Sequence, residues 1–211
     1  MKTPFLFVSI LILLGQSCQS PASKTLPILG ERMLEERTVD GKTVVDTIFH
    51  QIEPFSYLDQ DSTLISEASV KGKIYVADFF FSSCPSLCPR VKAEMKKVYN
   101  KYKSEPRFQM ISYTIDPKRD DVKRLSWYAR KLNIQSKTWH LLTGSYEKLT
   151  KTAANYLLSA QEDPSAPGGF DHSGYVVLVD QNRHIRGMYD GTDPEKMKML
   201  ISDIQILLDA L

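Results

Sequence analysis

Three cysteines occur among the 211 residues, Cys18, Cys84 and Cys88, and the last two stand four apart in Cys84-Pro85-Ser86-Leu87-Cys88-Pro89. Before this segment runs Ile74-Tyr75-Val76-Ala77-Asp78-Phe79-Phe80-Phe81, almost continuously apolar; after it, Val91, Met95, Val98 and Tyr102 recur at helical spacing. The cysteines therefore sit where a buried strand becomes a helix. Pro89 suits the first helical position, since its missing amide hydrogen would be unpaired there anyway, and this places Cys88 at the N-cap. A thiol facing the positive end of a helix has a lowered pKa and becomes a nucleophile or a metal-binding sulfur. A structural disulfide is the plainer alternative, but closing so small a ring gains little loop entropy. Asp78 interrupts the apolar strand. A buried carboxylate there has a raised pKa and tunes the neighbouring thiols.

The rest of the chain supplies an α/β frame. Phe108 to Asp116 reads as a strand, Asp120 opens a helix through Leu132, and Thr138 to Leu142 is a short strand. Ser145 caps a helix running to about Ser159, with Leu149, Ala153 and Tyr156 on one side. Gln161 to Gly169 is a Pro/Gly loop ahead of His172. Tyr175 to Val179 pairs with His184 to Tyr189 as a hairpin, and a last helix starts near Asp193-Pro194-Glu195. Lys42 to Ile48 and Phe55 to Leu58 alternate as an added N-terminal hairpin and entry strand. Asp116 and Asp120 turn and cap the chain, His50, His140 and His184 have no ligand context, and Trp127 and Trp139 are core.

Lys+Arg 27 against Asp+Glu 25 gives a net charge of +2. With no long Lys/Arg run, nucleic acid is excluded as a partner. Hydrophobic residues at 42% and charged residues at 25% fit one globular domain. The apolar stretch Phe5 to Leu14 behind Met1-Lys2 is too short to span a bilayer of ~30 Å comfortably. It is followed by Ser17-Cys18 and a polar stretch, and so resembles a bacterial lipoprotein signal with Cys18 as the lipid-bearing mature N-terminus. The organisation expected is a signal peptide at 1–17, a tether at 18–37 and one domain at 38–211, facing the periplasm from the inner or outer membrane.

A cysteine pair at a helix start among βα units, with a terminal β-hairpin plus helix, describes a thioredoxin-like fold. Asp78 to Pro89, Thr114-Ile115-Asp116-Pro117-Lys118-Arg119-Asp120 and Asp171-His172-Ser173, in that order, resemble the Sco/SenC family from about Pro54 to the C-terminus. The resemblance implies a thioredoxin-like copper chaperone that matures the copper centre of cytochrome c oxidase. It also implies Cys84, Cys88 and His172 as the metal ligands. Asp171, next to the histidine in sequence, is expected to orient the imidazole. The chemistry agrees: two thiolates and one imidazole favour Cu(I), although a Cys₂His set with water also suits zinc. Thioredoxins likewise keep a carboxylate at the spacing of Asp78, but this chain has no proline between His172 and Val179, where their cis-proline approaches the cysteines. That favours metal binding, as Cu(I) or Cu(II), over disulfide exchange. The alternative is a thiol-disulfide oxidoreductase acting on exported partners through Cys84 and Cys88. A peroxidase is more distant, since Cys84 lacks a Thr-x-x-Cys setting.

Overall fold

The structure, a computed structural model, describes residues 25–211. The leader expected at 1–17 and the expected lipid-bearing Cys18 lie outside the described residues. In chain order the elements are β1 (Arg32–Val39), β2 (Lys42–Phe49), β3 (Ser56–Leu58), β4 (Leu64–Ser66), β5 (Ile74–Phe80), α1 (Leu87–Tyr102), β6 (Phe108–Thr114), α2 (Val122–Leu132), β7 (Trp139–Leu142), α3 (Tyr146–Asn155), β8 (Ala160–Glu162), β9 (Phe170–His172), β10 (Tyr175–Val179), β11 (Ile185–Asp190) and α4 (Pro194–Asp209). A five-stranded sheet runs in the order β11-β10-β5-β6-β7. Its β5, β6 and β7 are parallel, and β10 and β11 are antiparallel to their neighbours. This is the expected thioredoxin-like arrangement, closed by a C-terminal hairpin and helix.

Every residue of β5 is buried, which explains its unbroken apolar character: helices or loops cover both faces of a central strand. Alternation splits its side chains. Tyr75 and Phe79 join Tyr57, Tyr113 and Tyr156 in an aromatic cluster, with Phe79 and Tyr113 stacked at 5.1 Å. Asp78 and Phe80 point to the other face, where α1 packs and Phe80 stacks on Tyr128 of α2 at 5.5 Å. Two β8 and β9 strands of three residues each pair outside the main sheet.

The polar centre of the α1 face is a closed network. Lys92 Nζ donates to both Asp78 oxygens at 3.0 and 2.7 Å and to Ser112 Oγ at 2.7 Å. Ser112 Oγ donates to Asp78 Oδ1 at 2.5 Å and accepts from Trp139 Nε1 at 2.8 Å. All three ammonium protons, the hydroxyl and the indole are satisfied, which such deep burial demands; Asp78 and Lys92 are each 1% exposed. Asp78 is buried as expected, but it is not the lone carboxylate of the sequence reading: an ammonium neutralises it. Burial lowers the pKa of Lys92, and Asp78 opposes that shift.

Three further expectations need correction. β1 begins at Arg32, inside the segment read as tether, and pairs with β2 from Arg32↔Phe49 to Val39↔Lys42. Trp127 is 41% exposed, because Leu125, Tyr128 and Ala129 form the buried stripe of α2. The N-cap of α2 is Asp121, which accepts from Arg124 N at 2.7 Å; Asp120 is buried and engaged elsewhere. Among the described residues no helix is long and apolar enough to cross a membrane.

Lys92→Met leaves a charged Asp78 buried without its cation, so a loss of about 3–5 kcal/mol is expected in urea unfolding. The double substitution Asp78→Asn with Lys92→Met removes both charges and is expected to be clearly less destabilised than the sum of the singles. Strict additivity would contradict a coupled pair.

Candidate metal centre

β5 hands the chain to a tight turn in which Cys84 N donates to Phe81 O at 3.2 Å. Asp120 fastens this turn. Its carboxylate accepts from Ser82 N at 2.9 Å, Ser82 Oγ at 2.5 Å and Thr114 Oγ1 at 2.6 Å. Arg124 Nε adds a bond to Ser82 Oγ at 2.8 Å. In the sequence Asp120 reads as the start of the following helix, but it clamps the cysteine loop to the end of β6.

α1 begins earlier than Pro89 suggests. Its N-cap is Ser86, so Cys88 is the second helical residue and Pro89 the third. Several first-turn amides lack intrahelical partners, so a proline there does not fix the register. The consequence is a reversal of roles: the free amide of Cys88 donates to Cys84 Sγ at 3.3 Å. The helix end thus addresses Cys84. Cys88 itself is 3% exposed, and burial pushes its thiol pKa up, against the expected lowering. The Cys84 sulfur adds to the rise, while the Phe81 backbone and the Lys92 ammonium oppose it.

His172 ends β9, opposite Ala160 of β8. Its Nε2 lies 3.4 Å from Cys88 Sγ, and its ring meets the Phe81 ring edge-on at 5.3 Å. Phe170 packs on the same Phe81 at 5.2 Å. The loop before β9 presses on this cluster: a Cβ at Gly168, whose φ is +86°, would stand 2.7 Å from the Phe81 ring. Only glycine permits both that backbone and that approach. Burial lowers the pKa of His172, with the Phe170 backbone, Asp78 and Asp171 opposing, so the imidazole is neutral near pH 7 and able to ligate.

The ligating atoms of Cys84, Cys88 and His172 all lie within 4.8 Å of one another. Ligands at ~2.0–2.3 Å around one ion in a plane are ~3.7 Å apart, so only small adjustments separate this triad from three-coordinate geometry. Asp171 is not part of it. It projects from the opposite side of β9 and is exposed, and His172 Nδ1 has no hydrogen-bond partner among the described residues. Asp78 lies beneath the triad, linked to Lys92, four residues along the helix from Cys88. The other histidines are structural: His140, for example, is held between Asp59 at 3.0 Å and Gln109 at 2.9 Å.

Residues 47–208 match the SCO1/SenC family. The SCO1 protein homolog of Bacillus subtilis (strain 168) is 28% identical over 167 residues, covering 78% of this chain and 86% of that protein. BsSco, a member of the Sco family of cytochrome c oxidase assembly proteins in which a disulfide switch is identified, superimposes with a TM-score of 0.65 at 28% identity, over 75% of this chain and 93% of its own. The structure of Bradyrhizobium japonicum ScoI with copper bound shares the fold, with a TM-score of 0.61 at 23% identity, over 74% and 98% of the two chains.

A buried thiol with a raised pKa alkylates slowly. Iodoacetamide mapping of the metal-free, reduced protein is expected to show Cys88 reacting more slowly at pH 7 than free cysteine, with a rate still climbing above pH ~8.5. A Cys88 profile that levels off below pH 8 would contradict the buried site described here.

Proposed function

The chain belongs to the SCO1/SenC family, and on that premise we propose that it is an exported copper chaperone, anchored to a membrane through lipid on Cys18. In this reading Cys84, Cys88 and His172 take up copper and deliver it to the apoprotein of cytochrome c oxidase or a similar exported copper enzyme. The observation that carries it is the convergence of two sulfurs and one neutral imidazole within 4.8 Å. Two soft sulfurs suit Cu(I), while the imidazole supports Cu(II). The relatives support the same reading: one is named for cytochrome c oxidase assembly and another is a copper-bound Sco protein.

A second reading rests on the contact between Cys88 N and Cys84 Sγ, which keeps the two cysteines side by side. As a reductase, the thiol pair would pass two electrons and two protons to a partner disulfide and itself become a disulfide. His172→Ala separates the readings. In the chaperone, copper affinity, especially for Cu(II), falls sharply while the thiols still oxidise reversibly; in the reductase, the reducing rate towards partner disulfides survives. Cys84→Ser and Cys88→Ser should each abolish stoichiometric copper binding with the fold intact. One tightly held copper in both serine variants would refute the assigned ligands.

Copper affinity should also depend on pH in a defined direction. The raised pKa of Cys88 means that binding at neutral pH displaces its proton, whereas burial lowers the pKa of His172 and so reduces its share of the effect. Competition titrations should therefore show Cu(I) affinity rising from pH 6 to pH 8, by roughly tenfold per pH unit for each thiol proton displaced. A flat profile would mean that Cys88 is already a thiolate.

A further inference from the structure

The chaperone reading leaves one surface beside the site without a role. α2 carries Lys123, Arg124, Arg130 and Lys131 and no carboxylate within its length. None of the four has an ion-pair partner among the described residues. The neighbouring cations behave differently: Lys118 pairs with Glu162 at 3.1 Å and Arg119 with Asp116 at 3.1 Å. Among these cations, of which Arg124 donates to Ser82 Oγ and Arg130 to Ser126 Oγ, stands Trp127, 41% exposed. The Arg124 guanidinium lies 4.2 Å from its ring centroid and Lys131 Nζ 5.4 Å. An exposed indole held between cations forfeits burial on folding and retains it for use in association; Trp and Arg are the residue types that anchor interfaces.

This surface is coupled to the cysteines by position. Arg124 stacks on Trp127 and also donates to Ser82 Oγ, two residues before Cys84. Tyr128, next to Trp127, stacks on Phe80 at the end of β5. A molecule seated on α2 therefore borders the cysteine loop.

We propose that the outward face of α2, formed by Lys123, Arg124, Trp127, Arg130 and Lys131, is where the copper-receiving protein docks, and that this partner presents an acidic surface to it. The inference rests on the chaperone reading for the partner's role and on charge complementarity for its chemistry. A lipid surface fits less well. Membrane-lying helices bury a broad apolar face, whereas Leu125, Tyr128 and Ala129 of α2 point into the core and Trp127 is the one large apolar side chain exposed on it.

The test is calorimetric titration of the metal-free chain with the metal-free copper-receiving domain of cytochrome c oxidase, at low and at high salt. Wild type is expected to bind more weakly as salt rises. The double substitution Lys123→Glu with Lys131→Glu should weaken binding at low salt by about tenfold or more and flatten its salt dependence, and Trp127→Ala should weaken it by about tenfold at both salt levels. Arg124 stays unaltered, because it also holds the cysteine loop. All three positions are exposed, and matching thermal unfolding of the variants and wild type shows that the fold is intact. Wild-type affinity and salt slope in both variants, or no binding by wild type at low salt, would overturn the proposal. So would charge-dependent binding to phosphatidylglycerol vesicles combined with unchanged affinity for the domain, which would assign the face to lipid. Every arm is read without copper, so a failure of the chaperone reading shows separately, in copper titration of the same wild-type protein.

Discussion

Everything near the cysteines depends on one buried charge pair. Asp78 on β5, Ser112 on β6, Trp139 on β7 and Lys92 on α1 share a single closed set of hydrogen bonds. Three strands and the helix that begins at the cysteines are thereby fixed in register by groups that tolerate no slippage, because any displacement leaves a buried donor or acceptor empty. Apolar packing alone would let α1 slide along the sheet with modest loss. The ion pair gives it one seat, and Cys88 lies one turn above Lys92 on the same helix.

From that seat the ligands are set by three different devices. Cys88 rides on the first turn of α1. Cys84 is placed by a turn clamped to Asp120 and receives the helix amide. His172 arrives from a separate hairpin, pressed against Phe81 by its own ring and by Phe170. Phe81 is thus the common floor, continuous with the strand that carries Asp78.

Much of this was legible in the residues. The apolar run of β5, the helical spacing of Val91, Met95 and Val98, and the order of the cysteines and His172 all led to observed features, because burial leaves periodic traces. What burial does not shape was harder to read. The strands β1 and β2 are exposed on nearly every side chain, so β1 looked like tether, although Asp40-Gly41, both with positive φ, is a hairpin-turn dipeptide that signals the pairing. Lysine ordinarily marks a solvated face, which hides the role of Lys92 in the sequence. Its position one residue after Val91 and three before Met95, together with a carboxylate in a buried strand that needed a cation, was the available clue. Residue type alone places Trp127 in the core, although the stripe of Leu125, Tyr128 and Leu132 leaves it outside. Asp171 is next to His172 in sequence, but adjacent residues of a strand face opposite ways, and the short run 170–172 carries no periodic signal that marks it as a strand.

The hairpin carrying His172 is held by three residue pairs and stands apart from the five-stranded sheet. Structures of this kind open locally at a free energy well below that of global unfolding. The three atoms therefore belong to two units: both sulfurs sit where the central strand meets α1, and the imidazole on a short ribbon that packs on Phe81 and is tied to Tyr146 through Glu162 N. On the chaperone reading, an ion held there could lose its nitrogen while the sheet, the charge network and the sulfur pair stay closed, which separates exchange of the ion from unfolding of the domain.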